Sequence, residues 1–456
     1  MKGNPSASDA EGQIYGAATT NRAGLERETF YAMRNDVLLS LIDVYEKDFW
    51  SVDAVRAAQT YPAVWHAGLA LAELYRSKVD EKTGHTGRTC YQVHAMAQYG
   101  RAIRSILETI GKSNITWADK EAVLLGTVLL LGFACLYGDL DLQSAHLRNA
   151  MQLFKKWPIS EWLRRNEGSP IMNGSSLLRQ CQIIEMRAII SHCGDEFHAG
   201  RPIRSDILSP MPLESTAAAC TEFFSVLVPS AAACRSTSVN DMTEQSVPEI
   251  LHSSHLLFAS WDARLSAFLQ ARQLISNADQ ECILGLQIWS ITARINIFLC
   301  SASGLDRELM YDKWHTSFER MADLAEQLCT TITQNMTGPQ AMQNLKPFSF
   351  GSMISLALSV FTYCRNGLLK RKVIELLRRW PCRDGISDPR WMASTLEATM
   401  LLEKDGFKLH GGVRSNGCQC ISEQHINAVH RCRVLKYIKH DVACSSYCQR
   451  ILNGEI

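Results

Sequence analysis

Seventeen consecutive residues, Ala122 to Gly138 (AVLLGTVLLLGFACLYG), carry no charge, with Lys120 and Glu121 before them and Asp139 after. A helix that crosses the hydrocarbon of a bilayer needs about 20 apolar residues. This run falls short, so it reads as a helix wrapped by protein on every side, and a membrane span is the lesser reading.

The rest of the chain supplies the wrapping. Phe30, Met33, Val37, Leu41, Val44 and Tyr45 recur at steps of three and four, the period of one helix face. Val64, Ala67, Leu71, Leu74 and Tyr75 repeat the pattern after Pro62, a residue suited to a first helical turn. Met96, Tyr99, Ile103, Ile106, Leu107 and Ile110 form another apolar stripe, stopped by Gly111. Leu142, Ala145, Leu147, Ala150, Met151 and Phe154 form the next, ended before Pro158. Further helices are expected near 177–192, 250–275, 280–300, 311–335, 350–364, 368–380, 389–404 and 423–452. Alternating β-branched runs are absent. The expected fold is all-α, a large stack of antiparallel helix pairs with no significant sheet. Residues 1–26 read as a disordered tail. Residues 27–453 read as one helical domain, with polar residues 235–249 marking an internal break.

Charge and cysteine usage narrow the function. The 456 residues include 47 Lys and Arg against 46 Asp and Glu, a net charge of +1. That balance gives no bulk field for a polyanion. The start of the chain lacks the apolar core of a secretory signal and the Arg-rich pattern of a transit peptide. The 16 cysteines are therefore read as reduced thiols.

Tests for catalysis fail on named residues. Gly111-Lys112-Ser113 ends like a phosphate loop, but Ile106 stands where the first glycine is required. No Gly-x-Ser-x-Gly exposes a serine, and no His precedes Glu as a zinc protease needs. Asn35-Asp36 opens like a magnesium motif, but Leu39 and Asp43 replace its later hydroxyl and carboxylate. No catalytic, cofactor, metal or DNA-binding residue is assigned, and no enzyme activity is expected.

Three features invite a sharper reading. Cys418, Cys420, His425, His430, Cys432, His440, Cys444 and Cys448 gather near the C-terminus. His440, Cys444 and Cys448 would share a helical ridge that reaches one zinc, but no Cys-x2-Cys occurs, and buried thiols are the plainer reading. Lys370, Arg371, Lys372, Arg378 and Arg379 oppose an apolar stripe of Leu369, Val373, Leu376, Leu377 and Trp380. A solvated helix face is the plain reading, and a nuclear-import or acidic-partner patch is the alternative. The tryptophans, among them Trp50, Trp65, Trp157, Trp162, Trp261, Trp289, Trp314 and Trp380, read as core.

Two stretches resemble a known family. The first runs from Phe30 to Ser77. It holds Asp48-Phe49-Trp50, then Pro62, Val64, His66 and Ala67. Tyr99, Ala102 and Ile103 follow, then His146, Leu147 and Ala150. The second runs from Phe350 to Asp388 and holds Cys364, Arg365, Asn366, Ile374, Leu376, Leu377, Pro381, Arg383, Asp384 and Gly385. In order and spacing these resemble the fungal-specific transcription factor domain, the helical regulatory region of fungal zinc-cluster factors. The six-cysteine cluster of that family is not found upstream of Phe30, so its direct DNA reading is not carried over. The chain is then either a truncated member or a regulator acting through partners. The resemblance implies a nuclear location, with the cytoplasm as alternative. It also implies protein partners, among them transcription machinery or a second copy, and a small-molecule effector. A non-catalytic interaction scaffold is the rival, and an all-α enzyme with an unrecognised site the more distant one.

Overall fold

The computed structural model describes residues 24, 26–38, 49–83, 88–157, 171–190, 208, 211–236, 246–271, 276–301, 311–336, 348–349, 354–364, 366–380, 383–384 and 389–404. They are helical almost throughout. The only strand pairing among them is a parallel contact of β1 (Phe348–Ser349) with β2 (Arg383–Asp384). The expected all-α class holds.

Helix α1 (residues 26–38) opens the described chain and widens into a π turn at Met33–Val37. A second π turn, Phe49–Asp53, leads into α2 (Ala54–Thr60). Then come α3 (Pro62–Thr83) and α4 (Arg88–Ile110), an antiparallel pair with the closest packing in the molecule. Pro62 is the first residue of α3, where its missing N–H costs nothing.

The uncharged run becomes α5 (Trp117–Tyr137). Its start is fixed by a capping box. Thr116 accepts from the Asp119 N–H, and the Asp119 carboxylate accepts from the Thr116 N–H. Its end is fixed by Gly138 at φ 89°, a left-handed turn that only glycine adopts without strain. Asp139 then caps α6 (Leu140–Lys156) through the Leu142 N–H. Residues 121–136 of α5 are all buried. The rod is therefore interior, packed against α3, α4, α6 and α7.

Helix α7 (Gly174–Ile190) leads to α8 (Thr216–Ser236), α9 (Ser246–Ala271) and α10 (Asn277–Ser301). A 3-10 turn, Tyr311–Trp314, precedes α11 (His315–Met336). The short α12 (Ile354–Ala357) continues as a 3-10 turn to Tyr363. Helices α13 (Gly367–Arg378) and α14 (Pro389–Lys404) close the described fold.

Two hydrophobic cores result. One gathers residues from Phe30 to Ala188, and the other gathers residues from Ile183 to Leu396. They overlap in α7 alone. The polar segment 235–249 runs from the last residues of α8 into the first turn of α9, and both of those helices pack in the second core. Of that segment, residues 237–245 lie outside the described residues. At the other end, Glu26, placed in the tail by sequence, is already helical.

Candidate functional site

Helix α7 has two apolar faces. Leu177, Cys181, Ile184 and Ala188 belong to the first core, and Ile183, Met186 and Ile189 to the second. At about 100° per residue these sets lie on opposite sides of the helix. Ser176, Gln180, Glu185 and Arg187 sit between them, Arg179 and Gln182 sit on the side of the second core, and all six are buried. Six buried polar residues on one 17-residue helix are unusual, because such groups are costly unless they are bonded.

Most of the bonding runs to α8. Arg179 donates to the Ala217 carbonyl at 3.2 Å, to the Thr221 hydroxyl, and to Ser176 Oγ at 3.0 Å. Gln182 Nε2 donates to Ser225 Oγ at 3.2 Å. Toward the first core, Arg187 reaches Cys135 Sγ of α5 at 4.0 Å. Gln180 Nε2 and Gln182 Oε1 meet no protein partner among the described residues. Burial pushes the Arg179 guanidinium below its ordinary value and raises the Cys181 thiol well above its own. A thiol held protonated in this way is a poor nucleophile. The arrangement joins two packed bodies through directional bonds and has no feature of a reacting centre.

A second polar contact joins two of the sequence motifs. Tyr99 of α4 and His146 of α6 meet at 2.8 Å between the hydroxyl and Nε2. Burial lowers the His146 imidazole to about 4 and raises the Tyr99 hydroxyl. The ring is thus neutral at pH 7, and the tyrosine O–H donates to it. His66, from another motif, meets Gln98 Oε1 through Nδ1 at 2.7 Å. Gln98 also donates to Glu26 at 3.0 Å, and Glu26 pairs with Arg101 at 3.0 Å. Glu28 pairs with Arg76 at 3.0 Å, and Thr29 donates to Glu73. These bonds, with Phe30 stacked on Trp65 at 4.8 Å, fasten α1 across α3 and α4. A side chain at Gly68 would run into Met33 Sδ, so the glycine makes room for α1.

The other flagged residues resolve as follows. Lys112 pairs with Asp119 at 2.6 Å in the turn before α5, a structural role rather than a phosphate contact. Trp50, Trp157, Trp261, Trp289 and Trp380 are core, while Trp65 and Trp314 are partly buried against it. Asn35 lies in the first π turn, and Leu39 and Asp43 lie outside the described residues, as does Trp162. The Cys418–Cys448 cluster also lies outside them. Among the described residues no group of three or more His, Cys, Asp or Glu is placed to hold a metal ion.

The basic cluster on α13 is a solvated face at Arg371, Arg378 and Arg379, with Lys370 as the exception. Lys370 is fully buried. Lys372 bridges Asp323 at 2.8 Å and Glu326 at 2.9 Å on α11. Arg379 pairs with Glu326 at 3.1 Å, and Arg378 with Glu397 of α14. The Lys372 hydrogen bond holds the Glu326 carboxyl below the usual range. Sequence reasoning missed these pairs because Asp323 and Glu326 lie 49 and 53 residues before their partners Lys372 and Arg379, and Glu397 lies 19 after Arg378, all on other helices.

The described residues thus form an all-helical body with a bonded joint between two cores. In comparison with known families, residues 36–193 match the model of the fungal specific transcription factor domain. The matched span begins in the last turn of α1, takes in the rest of the first core and ends just beyond α7, the shared helix. Residues 350–388, the second stretch of resemblance, lie outside it. Domains of this type belong to transcription regulators, which act in the nucleus and are not enzymes in general. No curated protein and no solved structure matches the chain significantly.

Proposed function

We propose that the chain is a transcription-regulatory module that works through protein partners and effectors and leaves DNA reading to another module. The observation that carries the proposal is the regulator domain at residues 36–193, whose end coincides with the helix shared by the two cores. Two cores joined through α7 can occupy more than one mutual packing. A ligand or partner that prefers one packing shifts the population. A preference of ~1–3 kcal/mol is enough for a useful switch. The incompletely bonded amides of Gln180 and Gln182 support this role, since an unsatisfied buried group lowers the cost of leaving the packing that holds it.

The test is a reporter assay in a fungal cell, with the full chain fused to an unrelated DNA-binding module. Reporter output should change on recruitment, and the unfused chain should accumulate in the nucleus. Unchanged output, together with retention in the cytoplasm under every growth condition tried, would contradict the proposal.

A further inference from the structure

Helix α8 carries a proline in its interior, Pro229. Proline has no N–H, so the Ser225 carbonyl loses the backbone donor of the next turn, and the ring crowds that carbonyl. Two hydroxyls load the same stretch. Ser225 Oγ donates to the Thr221 carbonyl at 2.8 Å, and Ser230 Oγ donates to the Val226 carbonyl at 2.7 Å. Hydroxyls that bond back one turn compete with the N–H groups of the helix and bend it. The missing donor and both back-bonded serines fall between residues 225 and 230.

The two sides of this break are held differently. Before it, α8 is gripped from two neighbours. Arg179 of α7 reaches the Ala217 carbonyl at 3.2 Å and the Thr221 hydroxyl, and Gln182 reaches Ser225 Oγ at 3.2 Å. From α9, Trp261 reaches the Ala219 carbonyl at 3.0 Å, and Arg264 reaches the Glu222 carboxylate at 3.0 Å. Phe223 and Phe224, fully buried in the second core, anchor this half further. After the break come Ser230, Ala231, Ala232, Ala233 and Cys234. Ala232 and Ala233 are buried, but side chains of this size remove little apolar area from water. Alanine is also the best helix former, so this half stays helical when it shifts.

We infer that α8 is a hinged helix. Residues 216–228 are fixed to α7 and α9, and residues 230–236 turn about Pro229 as a short rigid arm. Bending is cheapest where the hydrogen-bond ladder is already open. The arm presents only small side chains to the second core, so it slides there without unseating a ring. The α7 bonds just described end at Ser225, and the arm therefore moves while the joint between the two cores stays bonded. The hinge is a freedom within the second core, and the inference does not depend on the regulatory reading.

Hydrogen exchange on the full chain, resolved on either side of residue 229, tests it. In the wild type, residues 230–236 should exchange at least about tenfold faster than residues 219–226, with a step at the proline. Pro229→Ala returns an N–H to the Ser225 carbonyl. It should slow exchange in residues 230–236 at least about tenfold and leave residues 219–226 unchanged. Ser230→Ala removes one back-bond without restoring a backbone donor, and should slow the arm by less. Simple fraying of a helix end behaves otherwise, since exchange then rises gradually toward Ser236 and ignores the change at residue 229. A gradual profile in the wild type overturns the hinge, as does an arm that exchanges equally fast in Pro229→Ala. A variant that slows both halves alike also overturns it, because that is uniform stiffening of the helix.

Discussion

The two cores are built differently. The first surrounds an aliphatic rod, where Val123, Leu124, Leu125, Val128, Leu129, Leu130 and Leu131 follow one another on α5, all buried. The second is tied by aromatic side chains. Phe223 meets Phe224 and Phe258 at 5.8 Å and Trp261 at 4.7 Å, and Phe318 meets Phe361 at 5.2 Å. Trp261 also donates from Nε1 to the Ala219 carbonyl at 3.0 Å. Aliphatic chains in a rod tolerate volume-conserving exchanges. Rings packed edge to face or tilted, with a bonded indole among them, favour specific mutual orientations. The first core also holds rings, Phe133 beside Tyr99 at 4.9 Å and Phe49 beside Trp50 at 5.1 Å, so the two cores differ in the share of aliphatic and aromatic packing, with α7 answering to both.

The largest expected effect is in the aromatic knot. Trp261→Ala removes a fully buried side chain and leaves the Ala219 carbonyl without its donor. Destabilisation of ~3–5 kcal/mol is expected, read by chemical denaturation as a loss centred on residues 211–400. A loss under 1 kcal/mol would erase the contrast between the cores.

Acid should distinguish the cores next. His146 titrates near 4 in the folded first core, against 6.5 for the ordinary imidazole. Below about pH 6.5 the unfolded chain takes up the proton and the folded one resists. Stability therefore falls as pH drops toward 4, by up to about 3 kcal/mol from this residue. His146→Gln keeps an acceptor for Tyr99 and should flatten that part of the profile. A slope that survives the substitution would assign it elsewhere.

Arg179→Ala probes the joint. It removes the bonds to Ala217 and Ser176 without touching the apolar members of either core. A cost of ~1–3 kcal/mol is expected, with exchange of backbone amides rising first in residues 174–190. Thr116→Ala removes the α5 capping box and should cost about 1 kcal/mol, confined to the first core. The smallest change is a gain. Gly100→Ala fills open space on an exposed helix face and should stabilise the first core by ~0.5–1 kcal/mol, seen as a higher melting temperature.

Much of the first core was legible because its signals are local. Pro62 marked the start of α3 and Gly111 the end of α4, and the uncharged run declared its own burial. The pairing of Tyr99 with His146 joins residues 47 apart, and no local pattern announces it. Helix α7 was seen as a helix, but its two-sided role was not. Apolar residues on opposite faces spread round the wheel, and the polar residues between them look like solvent positions. Lys370 misled for the same reason, since a charge run implies exposure and a buried lysine within it carries no separate mark. The sharing of α7 depends on which bodies meet there, and periodicity within one helix does not encode that.

Hydrogen exchange read by mass spectrometry, on the full chain carrying either Phe133→Ala or Trp261→Ala, tests the shared helix most directly. Phe133 and Trp261 are fully buried, one in each core. Exchange in α5 should rise with the first variant alone and exchange in α9 with the second alone, while exchange in residues 174–190 rises with both. Protection of α7 that follows only one of the two variants would assign the helix to a single core and contradict the joint.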